Sequence, residues 1–389
     1  MIGMLDIHKT EQEKSNGRPL QLSGHMAHLD GIRGIAILGV IAFHLQIPGC
    51  ETGWLGVPLF FVLSGFLITG ILLDADRAGY FKTFYARRIL RIFPIYYLLT
   101  VVVTVYCAVK RQPHSDWYWF FLYIQNYGYS FTGLDFPEMF KHTWSLAVEE
   151  QFYLIWPLIV FLSSRRALLV ICTLFIGVAV ATRLHFGSAP ISLFGLPSNL
   201  DTLCGGAIIA ILLRTNCRIN STCWTTVFML SAVLLSIISI HDTEALHYSY
   251  VDKTNSHLSH ILYTLVFATS IPCILLNNGS PSIGILRNSL LMHIGKISYG
   301  LYLFHFPIFY YIDRFLSEKI KVPISYSASC ALKIAVVFLV AEVSWRFVES
   351  PINRLKTRFP YHKRAGARES PSNFGTGSPC VHDHGAGEN

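Results

Sequence analysis

Ten stretches of the chain are apolar almost without interruption, at 32–48, 54–73, 89–109, 143–162, 167–186, 197–213, 224–240, 260–276, 297–315 and 327–348. Each approaches the length at which a helix, rising about 1.5 Å per residue, crosses about 30 Å of hydrocarbon. A backbone in lipid must satisfy its own hydrogen bonds, so each stretch is predicted to be a transmembrane α-helix. The first is short, and Leu29 to Gly34 extend it. Asp116 to Phe131 is shorter and rich in Trp and Tyr, which favour the headgroup zone, so it is predicted to be interfacial or re-entrant. The expected fold is an all-α polytopic membrane bundle of about ten helices. Residues 1–28 are polar, without the apolar run of a signal peptide; 29–355 form the membrane domain; 356–389 form a tail that starts basic and then becomes disordered.

Composition strengthens this picture. Only 14% of the 389 residues are charged and 52% are hydrophobic, whereas soluble domains carry about 25% charged residues. Two or three soluble domains of this total length would lack a charged skin, which excludes a soluble enzyme. The net charge of +8 lies in loops rather than on a basic face, so nucleic acid is not an expected partner. With the N-terminus inside, one side collects Arg77, Lys82, Arg87, Arg88, Arg165, Arg166, Arg214, Arg218, Arg287 and Lys296. The other holds fewer, chiefly Lys110, Arg111, Lys141, Arg183, Lys253, Arg314, Lys319 and Lys321. Both termini are therefore expected in the cytoplasm. The nine cysteines are scattered without CxxC spacing, so neither a zinc site nor a disulfide framework is expected.

Ionisable residues within spans are costly and concentrate where chemistry happens. Arg33 and His44 are eleven residues apart, a rotation of about 1100°, which places them on one helix face with His44 about 16 Å deeper. His44 is either a satisfied core histidine or an acid-base group working mid-membrane. Ser64 lies in a glycine-punctuated span where packing competes with catalysis. Arg88 and Arg91 are one turn apart beside Arg87, which suits either cytoplasmic anchoring or a clamp on phosphate oxygens. Ser145 and Glu149 are also one turn apart, with Glu150 turned to another face; a structural ion pair and a catalytic role are both open. Ser298, Tyr302 and His305 form one stripe, with Ser298 in a polar seam and the other two able to touch substrate. Glu342, Arg346 and Glu349 are spaced for an internal salt-bridge ladder.

Taken together, LDGIRG with Arg33-x10-His44, GVPLFFVLSGFLI, RRILRIFPIYYL, HTWSLAVEEQFYLIWP, ISYGLYLFHFPI and FVESP resemble the acyltransferase-3 family of integral-membrane acyltransferases. That family includes polysaccharide O-acetylases, nodulation-factor acetyltransferases and macrolide acyltransferases. Pro58 stands where the family's second motif usually carries an acidic residue. No SGNH-type esterase domain is expected after the last span.

The resemblance implies acyl transfer from acyl-CoA, most simply acetyl-CoA, to a hydroxyl of a saccharide or glycoconjugate, free or lipid-linked. It implies no tightly bound cofactor and no metal, and residence in a lipid membrane, the inner one in a bacterium. By the same resemblance Arg88 and Arg91, with Arg87, contact CoA phosphates, and His44 is the general base, an acyl-histidine intermediate being the less favoured variant. Arg33 would stabilise negative charge, Glu149 or Glu150 would orient the imidazole, and Ser64, Ser145, Ser298, Tyr302, His305 and Glu349 would support the site or the acceptor. A proton-coupled transporter using Arg33, His44 and Glu149 is the alternative; it predicts inverted repeats, which the sequence does not display.

Overall fold

The structure, a computed structural model, describes residues 26–110, 116–131, 137–215, 220–241, 254–277, 279–320 and 325–361. Most of the expected N-terminal segment 1–28, and residues 362–389 of the expected tail, lie outside them. The described elements are helical. In order come α1 (Ala27–His44), α2 (Gly56–Asp74) and α3 (Tyr80–Val109). Two short helices follow, α4 (Tyr118–Phe121) and α5 (Gln125–Phe131). Next are α6 (Trp144–Leu162), α7 (Arg165–Phe186) and α8 (Leu196–Leu212). The chain closes with α9 (Ser221–His241), α10 (Thr254–Leu276), α11 (Ser289–Lys296), α12 (Ser298–Phe315) and α13 (Tyr326–Ser344).

Nine helical stretches among the described residues are long and apolar enough to cross a membrane, and they account for nine of the ten predicted runs. The remaining run, 297–315, is the helix α12, but it falls short of that apolarity. Ser298, Tyr302, His305, Asp313 and Arg314 interrupt it. The physical reason lies in its neighbours: α12 packs against α1 and α13, and a helix shielded by protein needs no apolar circumference. The aromatic segment 116–131 forms only α4 and α5, too short to cross, with Tyr123 between them in the left-handed region at φ 55°. Outside the bundle, Leu98, Val102 and Val105 of α3, Leu154 and Leu158 of α6, and Leu230 and Val233 of α9 are exposed, as a hydrocarbon-facing belt requires.

Backbone contact between helices fixes the interior. A Cβ on Gly65 of α2 would lie 1.9 Å from the Leu203 carbonyl oxygen of α8, and one on Gly206 would lie 1.9 Å from that of Val62. Only glycine permits this approach, the usual way membrane helices pack without a hydrophobic driving force. The other local surprise follows α13. Residues Trp345–Glu349 form a π-helical turn, which breaks the expected three-residue ladder. Glu342 pairs with Arg346 at 2.5 Å and with His293 at 2.9 Å. Glu349 is instead turned inward and buried, where it accepts from Ser344 Oγ at 3.1 Å.

Candidate active site

Helices α1, α2, α3, α6 and α12 enclose a cavity of about 320 Å³. Its apolar lining includes Phe60, Phe61, Leu67 and Ile68 of α2. Its polar lining comes from helical repeats: Arg88 and Arg91 on α3, Ser145, Glu149 and Tyr153 one turn apart along α6, and Ser298 and Tyr302 on α12. Arg33 reaches in from α1, where its Nη2 donates to Ser298 Oγ at 2.9 Å and its Nη1 lies 3.9 Å from Asp30. Ser64 Oγ donates to Glu149 Oε1 at 2.6 Å. Arg88 sits over the Tyr153 ring at 5.3 Å. Among the described residues neither Arg88 nor Arg91 has a hydrogen bond or ion pair to the protein, and one carboxylate oxygen of Glu150 is buried without a partner. Three guanidinium groups thus line a low-dielectric pocket, two of them with their donors unspent. Such a pocket suits a multiply charged, oxygen-rich anion carrying an apolar extension.

Beyond one wall of this cavity lies a cluster of imidazoles. The wall itself is a pair of hydroxyls, Ser145 Oγ and Tyr302 Oη, 2.6 Å apart; Tyr302 also donates to the His142 carbonyl at 2.9 Å. Behind it, His44 and His305 have ring centroids 4.9 Å apart, and His142 and His305 5.0 Å. His142 stacks on Phe306 at 5.4 Å with the rings 13° from parallel. His142 Nε2 faces the Leu303 carbonyl at 3.2 Å, and its Nδ1 is buried without a partner among the described residues. His142 and His305 are buried, while His44, the last residue of α1, is half-buried and lies beside His305 near the midpoint of α12.

The fold therefore sorts the sequence-predicted residues into groups. Arg33, Ser64, Arg88, Arg91, Ser145, Glu149, Glu150, Ser298 and Tyr302 line one cavity. His44 and His305 do not line it, and His305, expected to touch substrate, is enclosed by the cluster. Glu149, expected to orient the imidazole, is bonded to Ser64; His44 instead meets Val40 and His305. The reason is geometric: α6 presents Glu149 to α2, a full turn past the hydroxyl wall. Arg87 points away from the cavity and donates to the carbonyls of Lys356 and Phe359 at 2.9 and 2.8 Å, with its guanidinium over Tyr361. Residues 356–361, expected to begin the tail, thus fold back on α3. Glu349 does not line the cavity and lies beside Gly300.

Three residues escaped the sequence reading. His142 precedes Ser145 by three positions and Tyr153 follows Glu149 by four, so helical spacing placed both beside residues already singled out. Asp30 is likewise one turn before Arg33.

Comparisons with known proteins place the chain in a family. Residues 26–342 match the acyltransferase domain that defines the acyltransferase-3 family. The chain is 30% identical over 356 residues to the O-acetyltransferase OatA of Staphylococcus aureus, a match covering 85% of this chain and 57% of that protein. It is 29% identical over 357 residues to the peptidoglycan O-acetyltransferase OatA of Listeria monocytogenes, covering 85% and 56%. A putative O-acetyltransferase of S. aureus is 32% identical over 363 residues, covering 85% and 58%. The chain thus spans somewhat over half the length of these relatives. No solved structure matches it. A multi-pass helical bundle, a cavity lined by the Arg-x-x-Arg pair and a family match over most of the chain converge on one assignment: this protein belongs to the acyltransferase-3 family of integral-membrane acyltransferases.

Proposed function

We propose that this protein is a membrane O-acetyltransferase that moves an acetyl group from acetyl-CoA to a hydroxyl of a cell-wall saccharide. The observation that carries this reading is the cavity in which Arg88 and Arg91 keep their donors free among the described residues. Phosphates bind such paired guanidinium groups bidentately, and each charge-assisted bond contributes about 1.5–3 kcal/mol. With both termini in the cytoplasm, as the Lys and Arg distribution favours, the arginine end of the cavity meets the cytosolic CoA pool. The apolar lining then receives the pantetheine arm.

The acyl group reaches the hydroxyl wall of Ser145 and Tyr302. Once parted from each other, those two hydroxyls are placed to donate to the thioester carbonyl as charge develops on its oxygen. Beyond them His44 removes the proton from the acceptor hydroxyl, whose oxygen attacks the carbonyl carbon; the C–S bond breaks and the thiolate of CoA is protonated. The relatives named as O-acetyltransferases support acetyl as the group, and the one named as a peptidoglycan O-acetyltransferase supports a cell-wall glycan as the acceptor. Membership of an acyltransferase family favours transfer over the transporter alternative.

The test is transfer of labelled acetyl from acetyl-CoA to glycan in membranes containing this chain. Label should appear as base-labile ester on the saccharide and should require the chain. Glycan that stays unlabelled while acetyl-CoA is neither bound nor consumed would overturn the reading.

A further inference from the structure

The hydrogen-bond partners of the two central imidazoles define their protons. His305 Nδ1 lies 2.6 Å from the Tyr302 carbonyl oxygen, which only accepts, so Nδ1 carries hydrogen and donates. Neutral His305 therefore has a bare lone pair on Nε2. That lone pair faces His44 Nδ1 at 3.3 Å. His44 Nδ1 also lies 3.0 Å from the Val40 carbonyl oxygen. Two acceptors converge on this one nitrogen, so it too carries hydrogen. In the neutral ring the proton-free nitrogen of His44 is then Nε2, which has no partner among the described residues.

We propose that His305 is a positioning residue that holds His44 in the Nδ1–H tautomer and so makes Nε2 the base. The inference rests on the reading of His44 as the group that deprotonates the acceptor. In the step itself the acceptor O–H proton moves to His44 Nε2, the new O–C bond forms and the C–S bond breaks. The Nδ1–H remains shared between Val40 O and His305 Nε2, and the Nε2 proton then passes to the departing thiolate. A carboxylate often plays this orienting part for a catalytic histidine. Here the carboxylates are on the other side of the hydroxyl wall, and a neutral imidazole, itself anchored through Tyr302 O, takes their place. Its enclosure in the cluster explains why a polar side chain near the midpoint of α12 does not line the cavity.

The test pairs two replacements of equal chain length, one with a strong acceptor and one with only a weakly accepting thioether: His305→Gln and His305→Met. In membranes, His305→Met should lower kcat about a hundredfold, the usual cost of a misdirected catalytic group, with KM for acetyl-CoA and acceptor unchanged. His305→Gln, whose amide oxygen can accept from His44 Nδ1, should recover most of that loss. Acetyl-CoA binding, supplied by the separate arginine cavity, reports that both variants have folded. Should His305→Met not fold, His305→Gln decides alone: near-parental kcat supports positioning, and loss equal to that of His44→Ala overturns it. Equal kcat for parent and His305→Met, or equal loss for Met and Gln, also overturns it. His44→Ala in the same membranes separates the two readings, since full activity there removes the base itself.

Discussion

The arginine cavity and the histidine cluster are separated by a single pair of hydroxyls, yet they are built on opposite rules. In the cavity, charges of both signs face one space, and Arg88 and Arg91 keep their donors free among the described residues. In the cluster the groups are rings, and the nitrogens of His305 and the Nδ1 of His44 are already committed. The difference matches the roles proposed for the two regions. A binding surface for a mobile anion must leave its hydrogen bonds unmade until the ligand arrives. A proton-transfer centre gains from having its bonds made beforehand, because a fixed tautomer costs no reorganisation during reaction.

The comparison breaks if the two regions cannot be damaged separately. His44→Ala should produce the largest effect, a loss of about 10²–10⁴-fold in acetyl transfer, the usual contribution of a general base. Acetyl-CoA affinity, measured by binding in detergent, should stay at the parental value. Replacing both Arg88 and Arg91 with Ala should do the reverse, weakening acetyl-CoA binding by at least about a hundredfold through lost charge-assisted bonds. Unchanged affinity in that double variant would return both arginines to topology alone.

Smaller substitutions sharpen the boundary. Tyr302→Phe removes the hydroxyl that meets Ser145 and the His142 carbonyl, which should cost about 1 kcal/mol of stability in detergent melting. It should also slow transfer about tenfold without altering acetyl-CoA affinity, if the hydroxyl serves the thioester carbonyl. Arg87→Ala should change least. Its guanidinium holds the Lys356 and Phe359 carbonyls rather than facing the cavity, so acetyl-CoA affinity should stay within about twofold for a partly screened charge. Limited proteolysis near residue 360 should instead accelerate. An Arg87→Ala defect as large as that of the Arg88 and Arg91 pair would show that the clamp extends along the whole RRILR segment.

Within these regions, the sequence made spacing legible and orientation illegible. Ser145 and Glu149, or Ser298 and Tyr302, share a face because helical periodicity is local, and each pair does line the cavity. Arg33 and His44 also share a helix, but sharing a face did not put them in one chamber. The wall between the chambers joins Ser145 of α6 to Tyr302 of α12, 157 positions apart. Glu149 was legible as an interior carboxylate, whereas its choice of Ser64 over His44 depended on how α6 meets α2. Glu349 was misread for a different reason: the π-helical turn over Trp345–Glu349 shifts the register that α-helical spacing assumes.

By itself, the sequence determined that the chain is a helical membrane bundle, since a charge content of 14% cannot cover a soluble surface and apolar runs of span length leave few alternatives. It also determined which residues were candidates, because an ionisable group in such a run needs a reason to be there. Only the tertiary structure decided that these candidates form two chambers, that α12 is sheltered by protein, and that His44 faces another histidine rather than a carboxylate. Those outcomes depend on contacts between helices far apart in the chain, and no local periodicity encodes which faces will meet.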